Sequence, residues 1–351
     1  MSSRHSVLLV SAAACVALGT LALIVYAGGA LVATGTLWSA GLPHSKHIAV
    51  SALMGLWVLG FMYAAIGEWR ATAGGVAATK PATSLLELPT DALNFLAVFV
   101  GAVLTYWLSI DMALGSVVAS ALVGMCAATL FKPHAAPAFA GSFVGMASPE
   151  LFGYPGVALA GAIAGLVFVA GKRVFNGYGG KLGTTAWSGC LGAVLILGRP
   201  MLSAPVPAWD VGWLLVVYSI AGAVLTFVVS VHYSQGPVMA SSLVGLLAGL
   251  LLPAFHGPVL GGTLAVMVFC ASFAGMSGTV RFRNAAWMVP AGAVCAVAFM
   301  YSAPFLGGAG GKLGTIAFGS VIGLHGLIDI GQKLQRRVCG TRNAGVSIVE
   351  R

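Results

Sequence analysis

Charged residues are scarce in this chain. Only 7% of its 351 residues are Asp, Glu, Lys or Arg, whereas a soluble domain carries about 25%. Apolar residues make up 59%, and the mean hydropathy is +0.99. A chain of this composition cannot cover itself with polar surface in water. The sequence therefore excludes a soluble globular protein and predicts an integral membrane protein.

Cysteine pairs of the CxxC type are also missing. The six cysteines are spread along the chain, and five of them lie inside apolar runs. We interpret them as small core residues, so the sequence predicts no disulfide, metal site or cofactor. The first apolar stretch, from Val7 to about Ala27, is longer than the core of a signal peptide and has no clear cleavage site, which favours a membrane helix.

Matching segments recur in the second half of the chain, in the same order. Two pairs are separated by 121 residues, a third by 130 and a fourth by 131. The pairs are VGAVLTYWLS (100–109) with AGAVLTFVVS (221–230), GSVVASALVG (115–124) with GPVMASSLVG (236–245), GSFVGMAS (141–148) with ASFAGMSG (271–278), and GYGGKLGT (177–184) with GAGGKLGT (308–315). Four ordered matches at nearly constant spacing indicate an internal duplication.

Each copy contains five apolar segments, and two more precede the first copy. They lie near 6–27 and 48–66; 94–110, 112–131, 136–152, 154–171 and 183–198; and 212–230, 236–254, 258–277, 285–302 and 314–330. An odd number of spans per copy inserts the second copy upside down. The predicted fold is an all-α polytopic membrane protein with twelve transmembrane helices: two N-terminal helices and two inverted five-helix repeats. Pro137 and Pro149 flank the third segment of the first copy, which predicts a short or broken helix there.

The expected organisation has four parts. Residues 1–93 hold the two N-terminal helices and a cytoplasmic linker (67–93), with a short interfacial helix at SLLEL. Residues 94–200 and 201–332 form the two repeats, and 333–351 a basic cytoplasmic tail.

The distribution of basic residues agrees with this topology. With the N-terminus in the cytoplasm and twelve spans, fourteen Lys and Arg residues fall inside and three outside. The outside residues are Lys46, Arg199 and Lys312. Since cytoplasmic loops carry the excess of basic residues, we expect both termini in the cytoplasm and a bacterial inner-membrane location.

The two GGKLGT segments (177–184 and 308–315) are not nucleotide-binding loops. A Walker loop needs Gly at the position of Phe175 or Leu306, and Ser or Thr directly after the lysine. One interpretation is a tight glycine turn opening a helix, where Lys181 with Thr184, and Lys312 with Thr315, bind an anion or a polar solute. The other is a tight connection between helices, with each lysine reaching the lipid headgroups.

The FVGM segment (141–148) and the FAGM segment (271–278) are the preferred pore elements. Small residues and hydroxyls permit a broken helix where it lines a cavity. The candidate substrate-binding residues are Ser142, Phe143, Gly145, Met146 and Ser148 in the first copy, and Ser272, Phe273, Gly275, Met276 and Ser277 in the second. Ordinary packing of small residues is the alternative.

Ionisable groups within the spans are few. His325 and Asp329 lie one helical turn apart in the last span, while Asp111, Glu150, His134 and His256 fall near segment ends. With no carboxylate pair deep in a span, the sequence favours a passive channel or uniporter over an ion-coupled pump.

The half-repeat is similar in layout to that of the urea transporter family. The resemblance rests on DMALGSVVASALVG, then AGSFVGMAS, then AGKRVFNGYGGKLGTTAW, and covers about residues 94–330. It implies a continuous pore in each protomer and a trimer. The family's fifth-span signature is replaced here by GGKLGTTAW and GGKLGTIAF, so no binding residue is carried over.

Together these patterns predict a transporter or channel that moves a small polar solute between two inverted repeats. Its expected partners are a small-molecule or ion substrate, membrane lipid and further copies of the chain, with no nucleic acid. A small-anion carrier using the Lys-bearing turns and a non-transporting subunit of a larger complex are the alternatives. A membrane-embedded enzyme would need clustered His, Cys or carboxylate groups, which the sequence does not offer.

Overall fold

The fold is that of an all-helical protein. A computed structural model describes residues 3–39, 45–74 and 89–346, and within these ranges it contains twelve α-helices and no strand beyond a single bridge, Leu202 with Gly307. The helices are α1 (Ser3–Ser39), α2 (Ser45–Ala73), α3 (Thr90–Ile110), α4 (Ser116–Leu130), α5 (Ala135–Val144), α6 (Tyr154–Gly171), α7 (Lys181–Leu197), α8 (Trp209–Phe227), α9 (Pro237–His256), α10 (Pro258–Gly275), α11 (Met288–Ser302) and α12 (Lys312–Val346).

Nine helices of the described part are long and apolar enough to cross a membrane. They are α1, α2, α3, α6, α8, α9, α10, α12, and α11 with the short helix that precedes it. The chain is therefore an integral membrane protein by helix length and composition. The other three helices of the predicted twelve are shorter: α4 and α7 are apolar and have 15 and 17 residues, and α5 has 10.

Helix α5 shows why the third segment of the first copy differs from a full span. Ten residues rise about 15 Å, roughly half of a 30 Å hydrocarbon core. The helix ends at Val144, and residues 145–153 then form a tight turn in which the amides of Leu151 and Phe152 donate to the carbonyl of Ser148. Part of the backbone after α5 is thus hydrogen-bonded within this turn.

The two ends of the bundle are held together by different contacts. At the end we call the basic end, Asp91 at the start of α3 pairs with Lys172 after α6, and Glu68 of α2 pairs with Arg281. At the opposite end, Leu202 bridges Gly307, and Trp209 at the start of α8 donates to Tyr301 near the end of α11. Because α3 starts at the basic end and α8 at the opposite end, these two helices run in opposite directions.

Both GGKLGT segments fold into the same backbone shape. Gly180 and Gly311 precede α7 and α12 with φ of +80° and +89°, and Gly177 and Gly308 have φ of +83° and +82°. Side chains avoid this left-handed region, which explains the glycines. Phe175 and Leu306 also share a positive φ, 53° in both residues.

Helices α7 and α12 cross each other at their first turns. A Cβ added to Gly183 would lie 2.4 Å from the Cα of Gly314, and one added to Gly314 would lie 2.5 Å from the Cα of Gly183. No side chain fits between the two backbones. The segments that are 131 residues apart in the chain therefore touch inside the bundle.

The N-terminal hairpin α1–α2 packs against α12. The Tyr26 hydroxyl lies 2.5 Å from Ser320 Oγ, and Trp57 Nε1 donates to the Ser320 carbonyl at 2.9 Å. Helix α2 continues to Ala73, beyond the expected end at 66, so Glu68 is helical and not part of a linker. The expected interfacial helix at 84–88 lies outside the described residues. The tail from Lys333 continues α12 as a helix to Val346, and 347–351 are outside the described ranges.

We expect Gly183→Ala to lower the melting temperature of the detergent-solubilised protein, because the added methyl group meets the α12 backbone. Overpacking of this kind costs about 1–3 kcal/mol. Gly262→Ala in α10 is the control, since nothing lies within 4 Å of a Cβ added there, and it should leave stability unchanged or raise it. Equal melting temperatures for Gly183→Ala and the unaltered protein would contradict the backbone contact.

Candidate functional site

A cavity of about 470 Å³ opens at the opposite end of the bundle, between segments that the repeat pattern singled out. It is lined by residues 308–314, by Met146 and Ser148 of the FVGM segment, and by Ser109 and Ser116 at the neighbouring ends of α3 and α4. Phe143 and Phe273 form its deep wall, and both are almost fully buried. We call it the Lys312 cavity.

Four phenylalanines continue inward from this wall. Phe139 and Phe143 of α5 and Phe269 and Phe273 of α10 are in mutual aromatic contact, with ring centroids 4.4–6.3 Å apart. We call them the Phe quartet. Across the two halves, the rings of Phe143 and Phe273 lie 4.5 Å apart. The innermost side of the Lys312 cavity is therefore closed by aromatic rings from both halves.

Ser142 and Ser272 lie beside the quartet in identical hydrogen-bond arrangements. Each donates to the carbonyl three residues earlier, Phe139 at 2.8 Å or Phe269 at 2.7 Å. Each therefore accepts from a second serine, Ser120 of α4 at 2.8 Å or Ser241 of α9 at 2.7 Å. Both predicted serines are fully buried, so a bulky residue at either position would disturb packing before it probed a pore.

The FVGM and FAGM segments contact the GGKLGT segment of the other half. The Ser148 amide donates to the Gly308 carbonyl, and the Gly278 amide donates to the Gly177 carbonyl, each at 2.9 Å. Ser277 Oγ accepts from the Gly179 amide at 3.1 Å. These crosswise bonds satisfy turn amides and join the two halves inside the bundle.

Gly145 and Gly275 allow the close packing that these turns need. A Cβ added to Gly145 would lie 2.4 Å from the Ala102 carbonyl oxygen of α3, and one added to Gly275 would lie 2.3 Å from the Ala223 oxygen of α8. Next to them, Met146 and Met276 are both half-buried, and Met146 lines the Lys312 cavity.

The two lysines are bound to their own preceding loops. Lys312 Nζ donates to the carbonyl of Ser302, the last residue of α11, and to that of Phe305 in the loop that follows, and lies 5.0 Å from the centroid of the Phe305 ring. Lys181 Nζ donates to Asn176 Oδ1 at 2.9 Å. Lys312 thus satisfies a carbonyl at the end of α11, Lys181 satisfies a side-chain amide of its loop, and Lys312 also lines the cavity.

Thr184 and Thr315 are buried and bond backward along their helices. Their hydroxyls donate to the carbonyls of Gly180 at 3.4 Å and Gly311 at 3.2 Å. A threonine bonded to the carbonyl four residues earlier satisfies its hydroxyl without a ligand. Neither Thr184 nor Thr315 lines the Lys312 cavity.

Several residues in and beside the Phe quartet were not predicted from the sequence. Phe139, Phe269, Ser120 and Ser241 were not singled out, although all four lie in or beside the repeated segments. The signal was available, since both copies read Phe-x-x-Ser-Phe-x-Gly-Met from residue 139 and from residue 269. The partner serines could not be assigned, because they come from a different helix.

We expect Ser241→Ala to destabilise the protein by about 1 kcal/mol, the typical net value of a hydrogen bond. Ser242→Ala is the matched control, because the neighbouring Ser242 hydroxyl is equally buried and has no hydrogen-bond partner. Its removal should be neutral or stabilising. Thermal unfolding in one detergent compares the two, and an equal or larger loss in Ser242→Ala would refute the assignment.

A comparison of the chain with protein-family models, with curated proteins and with solved structures found no match.

Proposed function

We propose that the protein is a transporter or channel that moves a small neutral polar solute across the membrane, along a route between two inverted halves, α3–α7 and α8–α12. The observation that carries this proposal is the Lys312 cavity, which enters from one end of the bundle and stops at Phe143 and Phe273, where the two halves meet. In transporters built from inverted repeats, the substrate site lies where the repeats meet, and the Lys312 cavity ends at such a contact.

Paired geometry supports the inverted halves. Positive φ angles recur at Ala113 and Ser234 (53° and 54°) and at Gly115 and Gly236 (75° and 78°), in addition to the GGKLGT glycines. The serine pairs and the crosswise amide bonds recur as well. In this proposal α4, α5 and α7 are the shorter members of a twelve-segment plan. The basic end faces the cytoplasm of a bacterium, following the excess of basic residues there.

The Phe quartet favours a neutral solute. Moving a neutral amide or hydroxyl from water into an apolar environment costs about 2–7 kcal/mol, whereas an isolated ion costs tens. Four rings from both halves offer an ion no replacement for its hydration shell, although a ring face attracts a cation weakly. A small neutral molecule passes such a barrier with far less loss, and the family that the half-repeat resembles, the urea transporters, moves a solute of this kind.

A small anion is the second candidate solute. The first residues of α4 and α12 both line the Lys312 cavity, so two helix N-termini and one ammonium group face it. Among the described residues of that lining, none is Asp or Glu. Helix N-termini attract negative charge, so the cavity concentrates anions even if the quartet excludes them.

The test is flux into liposomes that contain the purified protein, with urea, ammonia, nitrate, acetate and phosphate as solutes. We expect flux of a neutral solute and at least a tenfold loss of that flux in Ser116→Trp, where an indole fills the cavity. Tenfold corresponds to a barrier raised by about 1.4 kcal/mol. Val259→Trp is the control, because Val259 is 84% exposed on the outside of α10.

Three other outcomes would count against this proposal. Flux confined to nitrate, acetate or phosphate would favour the anion carrier. Flux that survives Ser116→Trp would place the route elsewhere. An absence of flux for every solute, with and without ion gradients, would favour a non-transporting subunit. The trimer implied by the urea transporter layout is a separate proposal, which the mass of the protein in detergent decides.

A further inference from the structure

We propose that the N-terminal hairpin α1–α2 is a clamp that holds the first GGKLGT segment (177–184) in place at the basic end, through an ion pair between Glu68 and Arg281. This inference rests on the proposed function in one respect: the held segment borders the route between the halves. The inference is based on the contacts that Arg281 makes.

Arg281 joins three elements at the basic end. Its Nη1 lies 2.6 Å from Glu68 Oε1 on α2, and both side chains are mostly buried. Its Nε donates to the Asn176 carbonyl at 3.0 Å, and Nη1 donates to the Tyr178 hydroxyl at 3.2 Å. The guanidinium also lies 4.0 Å from the centroid of the Tyr178 ring. One side chain thus connects α2 to the loop that begins the first GGKLGT segment.

Tyr178 extends this network to α12. Arginine only donates hydrogen bonds, so the phenol accepts from Arg281 and uses its own proton to donate to His325 Nδ1, 2.9 Å away. The residue is only 5% exposed. Burial raises the pKa of Tyr178, so the phenol stays protonated at neutral pH and remains a donor. Asp329, at 4.0 Å from His325, is more distant than this phenol.

The network lies where the two copies differ in chemistry. At the repeat spacings, Tyr178 corresponds to Ala309, Arg281 to Leu151 and His325 to Val194. The backbone is the same at both ends, as the matched φ angles of the flanking glycines demonstrate. The polar network is therefore an addition to one copy and not a requirement of the turn itself.

The second GGKLGT segment is held by different means. Leu202 and Gly307 exchange two backbone hydrogen bonds, of 2.9 and 3.1 Å, through the connection between the halves. Around Gly308 the neighbours are the apolar side chains of Leu202 and Leu151. This backbone bridge contains no charged side chain. The contact at the basic end, in contrast, includes the carboxylate of Glu68, which belongs to neither half.

Amide hydrogen exchange of the full-length protein in lipid nanodiscs tests the inference. Glu68→Gln keeps the side-chain shape and removes the charge, and we expect exchange in 177–181 to become about tenfold faster, equivalent to about 1.4 kcal/mol. Exchange in 308–312 should not change. Lys333→Gln is the control, since it removes the Lys333–Tyr63 contact between α12 and α2 without touching the loop.

Several results would overturn the inference. Unchanged exchange in 177–181 would mean that Glu68 does not hold this segment. Equally faster exchange in 308–312, or in Lys333→Gln, would indicate a general loosening of the structure. Tyr178→Phe is a milder variant for the case that Glu68→Gln fails to fold, and it should accelerate exchange in the same residues only. Since exchange needs no solute, a protein without flux would refute the proposed function and leave this test intact.

Discussion

The structure depends on the backbone contact between Gly183 and Gly314, where α7 and α12 cross. With a Cβ at either position only 2.4–2.5 Å from the opposing Cα, the crossing excludes every side chain larger than hydrogen. This closeness brings the two GGKLGT segments inside the bundle, next to the turns that follow α5 and α10. Those turns then reach the glycine segments of the other half through the Ser148 and Gly278 amides. These bonds give both turn amides a partner inside the protein, which matters in a membrane protein because an unsatisfied backbone group in the hydrocarbon region costs several kcal/mol.

The interior of the bundle contains two kinds of contact, hydrogen bonds between polar groups and packing between aromatic rings. Serine hydroxyls, turn amides and lysine ammonium groups are bonded to nearby acceptors, so most polar atoms around the Phe quartet have partners inside the protein. Thr105 and Thr226, at matching positions of α3 and α8, are exceptions with buried hydroxyls that lack a hydrogen bond. The rings themselves fill the contact between α5 and α10. On the proposed route a solute would have to displace these apolar contacts, which costs a charged solute more than a neutral one.

The repeat spacing in the sequence predicted much of the layout. Together with the apolar runs, it located the segments that form most of the helices and the pairs of segments that have matching geometry. The prolines predicted the short helix α5, which includes Pro137 and ends before Pro149. The apolar pattern overestimated α4, which begins at Ser116 and not near residue 112, because the residues just before it, Met112 to Leu114, are also apolar. It also placed Glu68 in a linker, although α2 continues to Ala73 and pairs this residue with Arg281. The partners of Ser142, Ser272 and both lysines were equally hidden, since tertiary packing and not local pattern decides which acceptor each donor meets.

In a protein built from two copies of one segment, the two ends of the bundle have similar structures and cannot differ in function unless the copies differ in sequence. Two equal copies, inverted in the membrane, produce two equivalent mouths with the same glycine backbone and the same lysine. Among the described residues, the basic end differs from the opposite end in two ways. It carries the network of Tyr178, Arg281 and His325, and the hairpin α1–α2 reaches this network through Glu68. The hairpin packs on α12 through Tyr26 and Trp57 and extends Glu68 to this network. The Glu68–Arg281 ion pair and the hairpin therefore meet at the basic end, whereas the corresponding positions of the other copy, Ala309, Leu151 and Val194, carry no charge.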